Sequence, residues 1–366
     1  MPETSFDPIA HLRSIRTQTQ QERTSIMERV RGTYFHHPMH DEALEFIDDL
    51  IGLIVQERNP KASSHAAMAH ELQGFAIIGE PRAGKSTLLR KIFQKHPAFP
   101  GYGVIGSHCP LITIVPEGAC TLPRFAIDAL RKLGMPARSV PRDEKQLAHL
   151  VRDHMRLMGV KILHIDEAHH ITQPANDIQM KKIINTFKCL MIDSEWPVAL
   201  IFSGIPELNQ ALQLTDQLSG RFSFMRLPNL TIVGDSRKIQ GIIRNLSSVA
   251  GLEMTEAHQA AIAARLIHAS KYQLGRSIVY VQDAIENALK RRERRDEGDA
   301  EPVRLTPEDF ARAYARKTGA EAGDNPFIVD DWESIRFRAP LDEEPYEDAQ
   351  VKRKRGRQRG SSNKGN

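Results

Sequence analysis

The sequence predicts an α/β protein in which a parallel five-stranded sheet is sandwiched by helices and followed by a small C-terminal helical domain. Two observations carry this. Between Leu72 and Pro228, short apolar runs without internal alternation take turns with amphipathic stretches. That is the pattern of parallel strands buried on both faces and joined by crossover helices. From Gly234 to about Lys317, four helical patterns then follow with no strand pattern between them.

Taken in order, residues 1–70 read as a polar N-terminal helical region and linker. An amphipathic pattern runs from Pro8 to about Val30, a break falls at Gly32–Pro38, and a second helix covers Asp41–Glu57 before the connection NPKASSHAAMAH. Residues 71–230 hold the strands FAIIG (75–79), LITIV (111–115), KILHID (161–166), PVALIFSG (197–204) and FSFMRLP (222–228). Helical patterns lie between them at Lys85–His96, Pro123–Leu133, Asp143–Met158, Asp177–Ile192 and Pro206–Leu214. Residues 231–318 form the helical domain. Residues 319–366, an acidic Pro-containing linker and then a basic tail, read as mostly disordered, with Trp332 and Phe337 able to dock.

Composition narrows the class. A chain of 366 residues suits one large domain with appendages, or two domains. No run approaches the roughly 18 apolar residues of a membrane span, and the start MPETSFDPIAHLRS lacks the apolar core of a signal peptide. The three cysteines, Cys109, Cys120 and Cys189, have no paired spacing, which argues for a reducing cytoplasm and against a disulfide or Cys-based zinc framework. The net charge of +4 is concentrated: residues 352–364 carry seven positive charges and no negative one, so removing them leaves −3 for the rest. Any nucleic-acid contact of the body must therefore come from local patches.

The segment Gly79-Glu80-Pro81-Arg82-Ala83-Gly84-Lys85-Ser86, followed by Thr87, fits G-x-x-x-x-G-K-[ST] between a strand and a helix. The glycines let the backbone curl so that its N–H groups face a β-phosphate at the positive end of the next helix. In this pattern Lys85 reaches the β- and γ-phosphates of ATP and the Ser86 hydroxyl ligates Mg²⁺. About 80 residues on, Ile162-Leu163-His164-Ile165-Asp166-Glu167 is a buried strand ending in two carboxylates. Asp166 is placed to hold the magnesium shell and Glu167 to polarise the attacking water, which makes the expected activity hydrolysis. His164, His169 and His170 invite a zinc reading, but His164 lies in a strand, the other two follow on a loop, and no cysteine is near.

Three further positions complete the site. Ser203-Gly204, after the fourth strand, occupies the place of a polar sensor of the γ-phosphate. Arg221, just before the fifth strand, would point away from its own nucleotide and toward that of a neighbouring copy, as a trans arginine finger. Arg276, in Leu274-Gly275-Arg276 at a helix start, is placed to fold back on the phosphates.

Together GEPRAGKS, LHIDEAHH, PVALIFSGIPEL, SGRFSFMRLP and LGRSIVYVQDAIENAL resemble the TniB/TnsC family of AAA+ transposition regulators, similar also to the Mu phage B protein, over roughly residues 30–317. The resemblance implies an AAA+ ATPase with a helical lid domain. It also implies ATP-dependent assembly into a hexameric ring or helical filament on double-stranded DNA, recruitment of a DDE transposase, and response to a TniQ-type targeting protein. Family members often show Gly-Thr after the fourth strand. Here Ile205 follows Gly204, so the sensor is Ser203 or is missing.

In similar proteins DNA is gripped by segments that correspond here to Thr121–Arg124 and Arg138–Arg142, which points to Thr121, Arg124 and Arg142 as phosphate contacts. The tail offers Lys352, Arg353, Lys354, Arg355, Arg357 and Arg359, and its Arg-Gly-Arg resembles an AT-hook core with Gln358 where a proline is usual. Two rival ATPase readings, ExeA-like and origin-recognition-like, call respectively for a membrane or peptidoglycan-binding region and for a winged-helix domain, and the sequence shows no pattern for either.

Overall fold

A computed structural model describes residues 7–56, 72–116, 118, 120–135, 144–172, 177–213, 220–294 and 303–336. The chain divides into two compact units, Phe35–Asn229 and, together, Met1–Tyr34 with Leu230–Asn366.

The first of these is the α/β unit. It runs α3 (His40–Gln56), β1 (Gly74–Ile78), α4 (Lys85–Lys95), β2 (Leu111–Ile114), α5 (Leu122–Lys132), α6 (Glu144–Met158), β3 (Ile162–Ile165), α7 (His169–Thr172), α8 (Asp177–Met191), β4 (Ala199–Gly204), α9 (Pro206–Gln213) and β5 (Phe222–Arg226). All five strands are parallel, in the order β2-β3-β4-β1-β5. Successive residues feed opposite faces, as the pleat requires. Leu163, Ile165, Leu200 and Phe202 join the core beneath α5, α6 and α8, while Ile162, Ala199 and Ile201 join the one beneath α3 and α4. Each face is covered, so both sets are apolar and the strands read as continuous runs. Burying each large side chain contributes about 1.5–3 kcal/mol.

The second unit contains α1 (Pro8–Ser14), α2 (Gln18–Gly32), α10 (Ile232–Val249), α11 (Glu256–Ala269), α12 (Leu274–Glu293) and α13 (Pro307–Thr318). The single pattern expected from Pro8 to Val30 is two helices, because Thr17 starts a new one with a capping box to Gln20. Residues 1–70, expected as one region, are shared between the units. Met27 and Val30 of α2 are buried, and Arg23 and Arg31 pair with Glu293 and Glu286 of α12 at 2.5 and 2.8 Å.

Disorder from 319 onward is corrected over 319–336. Arg265 donates to the carbonyls of Pro326 and Val329 at 2.8 and 2.5 Å, and Asn325 donates to Ala311 O at 2.8 Å. Phe327 is buried against Phe310 and Tyr314, and the Trp332 ring packs edge-on to His268 at 5.4 Å. A few aromatic anchors and satisfied carbonyls hold this acidic segment, which composition alone does not reveal. Phe337 lies outside the described residues. No described helix is long and apolar enough to cross a membrane.

Candidate nucleotide-binding site

The chain leaves β1 at Ile78 and turns through Gly79–Gly84 into α4. Arg82 and Gly84 take left-handed backbone, φ 65° and 110°. At Gly84 a side chain would be strained, and an added Cβ would lie 3.5 Å from the His37 ring. Gly84 caps α4 without a side-chain hydrogen bond, so the first helical N–H groups are not taken by a capping side chain. They concentrate positive partial charge at the loop.

Lys85 is 4% exposed, and its Nζ donates to Gly79 O at 2.7 Å and Glu80 O at 3.0 Å. Burial lowers its pKa, while Glu167, Asp166 and Glu80 act to raise it. Two neutral carbonyls do not balance a buried ammonium, so the loop suits an anionic occupant and a phosphate fits.

Asp166 follows β3, and its Oδ1 accepts from Ser86 Oγ at 3.0 Å, Ser203 Oγ at 2.5 Å and the Glu167 N–H at 3.1 Å. Strand order explains the convergence: β4 lies between β1 and β3, so Ser203 sits between the phosphate loop and the carboxylates. The Ser86 and Asp166 oxygens form a hard donor pair of the kind magnesium prefers. Glu167 has φ 52°, a left-handed conformation that costs a non-glycine residue on the order of 1–3 kcal/mol and re-aims its carboxyl group. Burial raises the Glu167 pKa, with Lys85 opposing.

Three histidines surround this centre that the sequence reading left without a role. His169 starts α7 instead of lying on a loop, and its Nδ1 is 3.3 Å from Glu167 Oε2. Burial, then His170 and Lys85, bring its pKa down to about 4, so the contact is dipolar and not an ion pair at neutral pH. His164 Nε2 lies 3.1 Å from Ser203 Oγ, and burial lowers that ring also to about 4. His37, in the segment expected only as a break, is buried beside Gly84. Neighbouring carboxylates on strands were the one available signal, and pairing of the strands was needed to read it.

Arg221 lies at the other end of the sheet from this cluster. Arg221 precedes β5, and its carbonyl accepts from Gly74 N at 2.7 Å. Gly74 opens β1, so Arg221 sits at the amino edge of the sheet, whereas the phosphate loop leaves the carboxyl edge. Arg276, in the first turn of α12, is 5% exposed and belongs to the second compact unit. Thr121 caps α5 without a side-chain bond, and Arg124, exposed on α5, pairs with Asp128 at 3.0 Å. Arg142, Lys352, Arg353, Lys354, Arg355, Arg357 and Arg359 lie outside the described residues.

Residues 55–232 match the family model of the bacterial TniB protein. Over this stretch the chain is similar to the TniB family. The matched stretch runs from before β1 to the first residue of α10 and so includes the phosphate loop, Asp166, Glu167, Ser203 and Arg221. The chain is similar in fold to the Aeropyrum pernix ORC1 protein in complex with DNA, at 15% identity and TM-score 0.53, over 79% of this chain and 68% of that one. The ADP form of the Aeropyrum pernix ORC2 protein matches at 14% identity and TM-score 0.53, over 79% and 72%. Cdc6p from Pyrobaculum aerophilum matches at 16% identity and TM-score 0.50, over 78% and 69%. Among curated proteins, none matches in sequence. These likenesses are of fold, the AAA+ ATPase arrangement of five parallel strands with flanking helices.

Proposed function

We propose that this protein is an ATP-dependent regulator of DNA transposition in the bacterial cytoplasm. It oligomerises on double-stranded target DNA, as a hexameric ring or helical filament, and recruits a DDE transposase, in concert with a TniQ-type targeting protein. ATP hydrolysis controls disassembly. The observation that carries this reading is that the TniB match encloses the whole cluster built on Lys85, Ser86, Asp166, Glu167 and Ser203.

In this reading Gly79–Thr87 wrap the phosphates of ATP and Lys85 supplies their buried positive partner. Magnesium, when bound, neutralises phosphate charge. Ser86 and Asp166 would hold it. Glu167, whose raised pKa makes it a better base than an ordinary glutamate, accepts a proton from the attacking water. Ser203 reports on the γ-phosphate through Asp166. Arg221, at the edge opposite the loop, serves the neighbouring copy's site, and Arg276 couples nucleotide state to the helical unit. Thr121, Arg124 and Arg142 contact DNA phosphates without reading bases, which suits a protein with many targets, and the basic tail is a nonspecific tether.

Electron microscopy of the protein with duplex DNA and a non-hydrolysable ATP analogue tests this. Ordered rings or filaments that require both ligands are expected. Nucleotide-dependent oligomers indifferent to DNA would favour an ExeA-like or origin-recognition-like assembly switch instead.

A further inference from the structure

Behind the nucleotide site, polar side chains form one unbroken row across three strands. Tyr102 Oη lies 2.7 Å from Thr113 Oγ1 on β2, and Thr113 Oγ1 lies 3.0 Å from Nδ1 of His164 on β3. His164 Nε2 lies 3.1 Å from Ser203 Oγ on β4, which lies 2.5 Å from Asp166 Oδ1. Parallel register makes the row possible: Thr113 pairs with His164 and His164 with Ile201, two residues before Ser203. His164 is 2% exposed and faces α4, with the Phe93 ring edge-on at 5.2 Å. Ile162 and Ile201 beside it on that face belong to the apolar core, so a buried imidazole there is tolerated only because both ring nitrogens find partners.

The direction of the row follows from its end. A carboxylate only accepts, so the Ser203 hydroxyl hydrogen goes to Asp166 and the Ser203 oxygen accepts from His164. Nε2 therefore carries the ring hydrogen. Nδ1 is bare and accepts from Thr113, whose oxygen in turn accepts from Tyr102. Every group then gives one hydrogen bond toward Asp166 and, apart from Tyr102 at the head, receives one from behind. Tyr102 and Thr113 also line a cavity of about 250 Å³ along the β2 edge, beside Arg90, Gln94 and Lys132. The row thus runs from the rim of the sheet to the nucleotide site.

We propose that His164 is a positioning residue for nucleotide hydrolysis: as the Nε2–H tautomer it pins the Ser203 hydroxyl on Asp166 and so holds that carboxylate in one orientation. The inference rests on the reading of Asp166 and Ser203 as parts of the ATPase site. It adds a residue that touches no nucleotide, whose effect is felt in turnover and not in binding.

Variants of the full chain separate this from mere packing. A glutamine amide nitrogen can reach the position of Nε2, whereas an asparagine reaches only that of Nδ1. His164→Leu and His164→Asn are expected to lower kcat for ATP roughly tenfold, the scale of outer-layer supports in active sites, with KM changed less than about twofold. His164→Gln should recover kcat to within about threefold of the unmodified chain. Wild-type kcat in His164→Leu, or a glutamine variant as slow as the leucine one, overturns the proposal. Nitrogen-15 NMR of the imidazole, assigned with His164→Gln, gives a readout independent of turnover. The Nε2–H tautomer is expected, with its signal shifted by Ser203→Ala, and an Nδ1–H tautomer overturns the proposal. If the unmodified chain hydrolyses no ATP, the proposed function falls and the role in hydrolysis with it, whereas the tautomer still decides whether His164 holds the Ser203 hydroxyl on Asp166.

Discussion

Ser203 on β4 and Asp166 at the end of β3 are 37 residues apart in sequence, and the Ser203 hydroxyl donates to the Asp166 carboxylate at 2.5 Å. In the proposed function Ser203 is the polar sensor, at the place where the resemblance leads one to expect a Gly-Thr pair. Ser203→Ala should lower kcat by roughly 10- to 100-fold while ATP affinity changes little, since the group supports a carboxylate and not the phosphate loop. Steady-state kinetics beside equilibrium nucleotide binding would show it, and a loss confined to affinity would remove Ser203 from the sensor position.

Lys85 and Glu167 should fail in different ways. Lys85→Ala deletes the only buried cation donating to Gly79 and Glu80 among the described residues, and should weaken ATP binding by at least roughly 100-fold. Glu167→Gln keeps the shape but not the base, so ATP should still bind while turnover drops by roughly 10²–10⁴. Calorimetric binding with a phosphate-release assay distinguishes them. Wild-type hydrolysis by Glu167→Gln would assign the base elsewhere.

The position of Arg221 at the amino edge of the sheet, beside Gly74, predicts complementation between copies. Arg221→Ala and Lys85→Ala should each hydrolyse ATP poorly alone, with the arginine variant still binding ATP. Mixed, they should regain part of the activity, because some interfaces join an intact arginine to an intact pocket. Titrating one into the other at fixed total concentration measures it, and no recovery at any ratio counts against action in trans.

Acid should act on activity and stability separately. Burial raises the Glu167 pKa, so the carboxylate form is lost at higher pH than in an ordinary glutamate, and kcat should fall on acidification before generic acid unfolding. His164 and His169 titrate near 6.5 when unfolded and near 4 when folded, so protons bind the unfolded chain first. Their contribution to stability is complete above about pH 6.5 and is lost as pH falls toward about 4. Tm followed from pH 7.5 to pH 4.5 should drop, and less steeply in His164→Gln. An unchanged slope would mean that His164 is not neutral in the fold.

Body and tail should make different contributions to DNA binding. If all seven tail charges each neutralise a phosphate, log affinity falls with log salt at a slope of roughly −6 from the tail alone. Deleting residues 350–366 should weaken binding and flatten that slope but leave ATP-dependent assembly. Replacing Arg124 and Arg142 with alanine should spare ATP binding and abolish DNA-stimulated hydrolysis and ordered assembly. The reverse outcome, assembly lost with the tail and kept by the double variant, would make the body an oligomerisation device only.

The sequence by itself determined the phosphate-loop pattern and the layering. A phosphate loop is contiguous, so Gly79–Ser86 can be read in one window. Strands buried on both faces are apolar throughout, so all five appear near their observed positions. What only the tertiary structure decided is which strand ends meet. Inserting β4 between β1 and β3 brings Ser203 to Asp166, and parallel register brings Thr113 and His164 into line behind it. The same holds for α2, joined to α12 through Arg23 and Glu293, and for residues 319–336, held by Arg265 and Phe327. These pairings depend on contacts between residues far apart in the chain, and local periodicity reports which face an element buries but not what is buried against it.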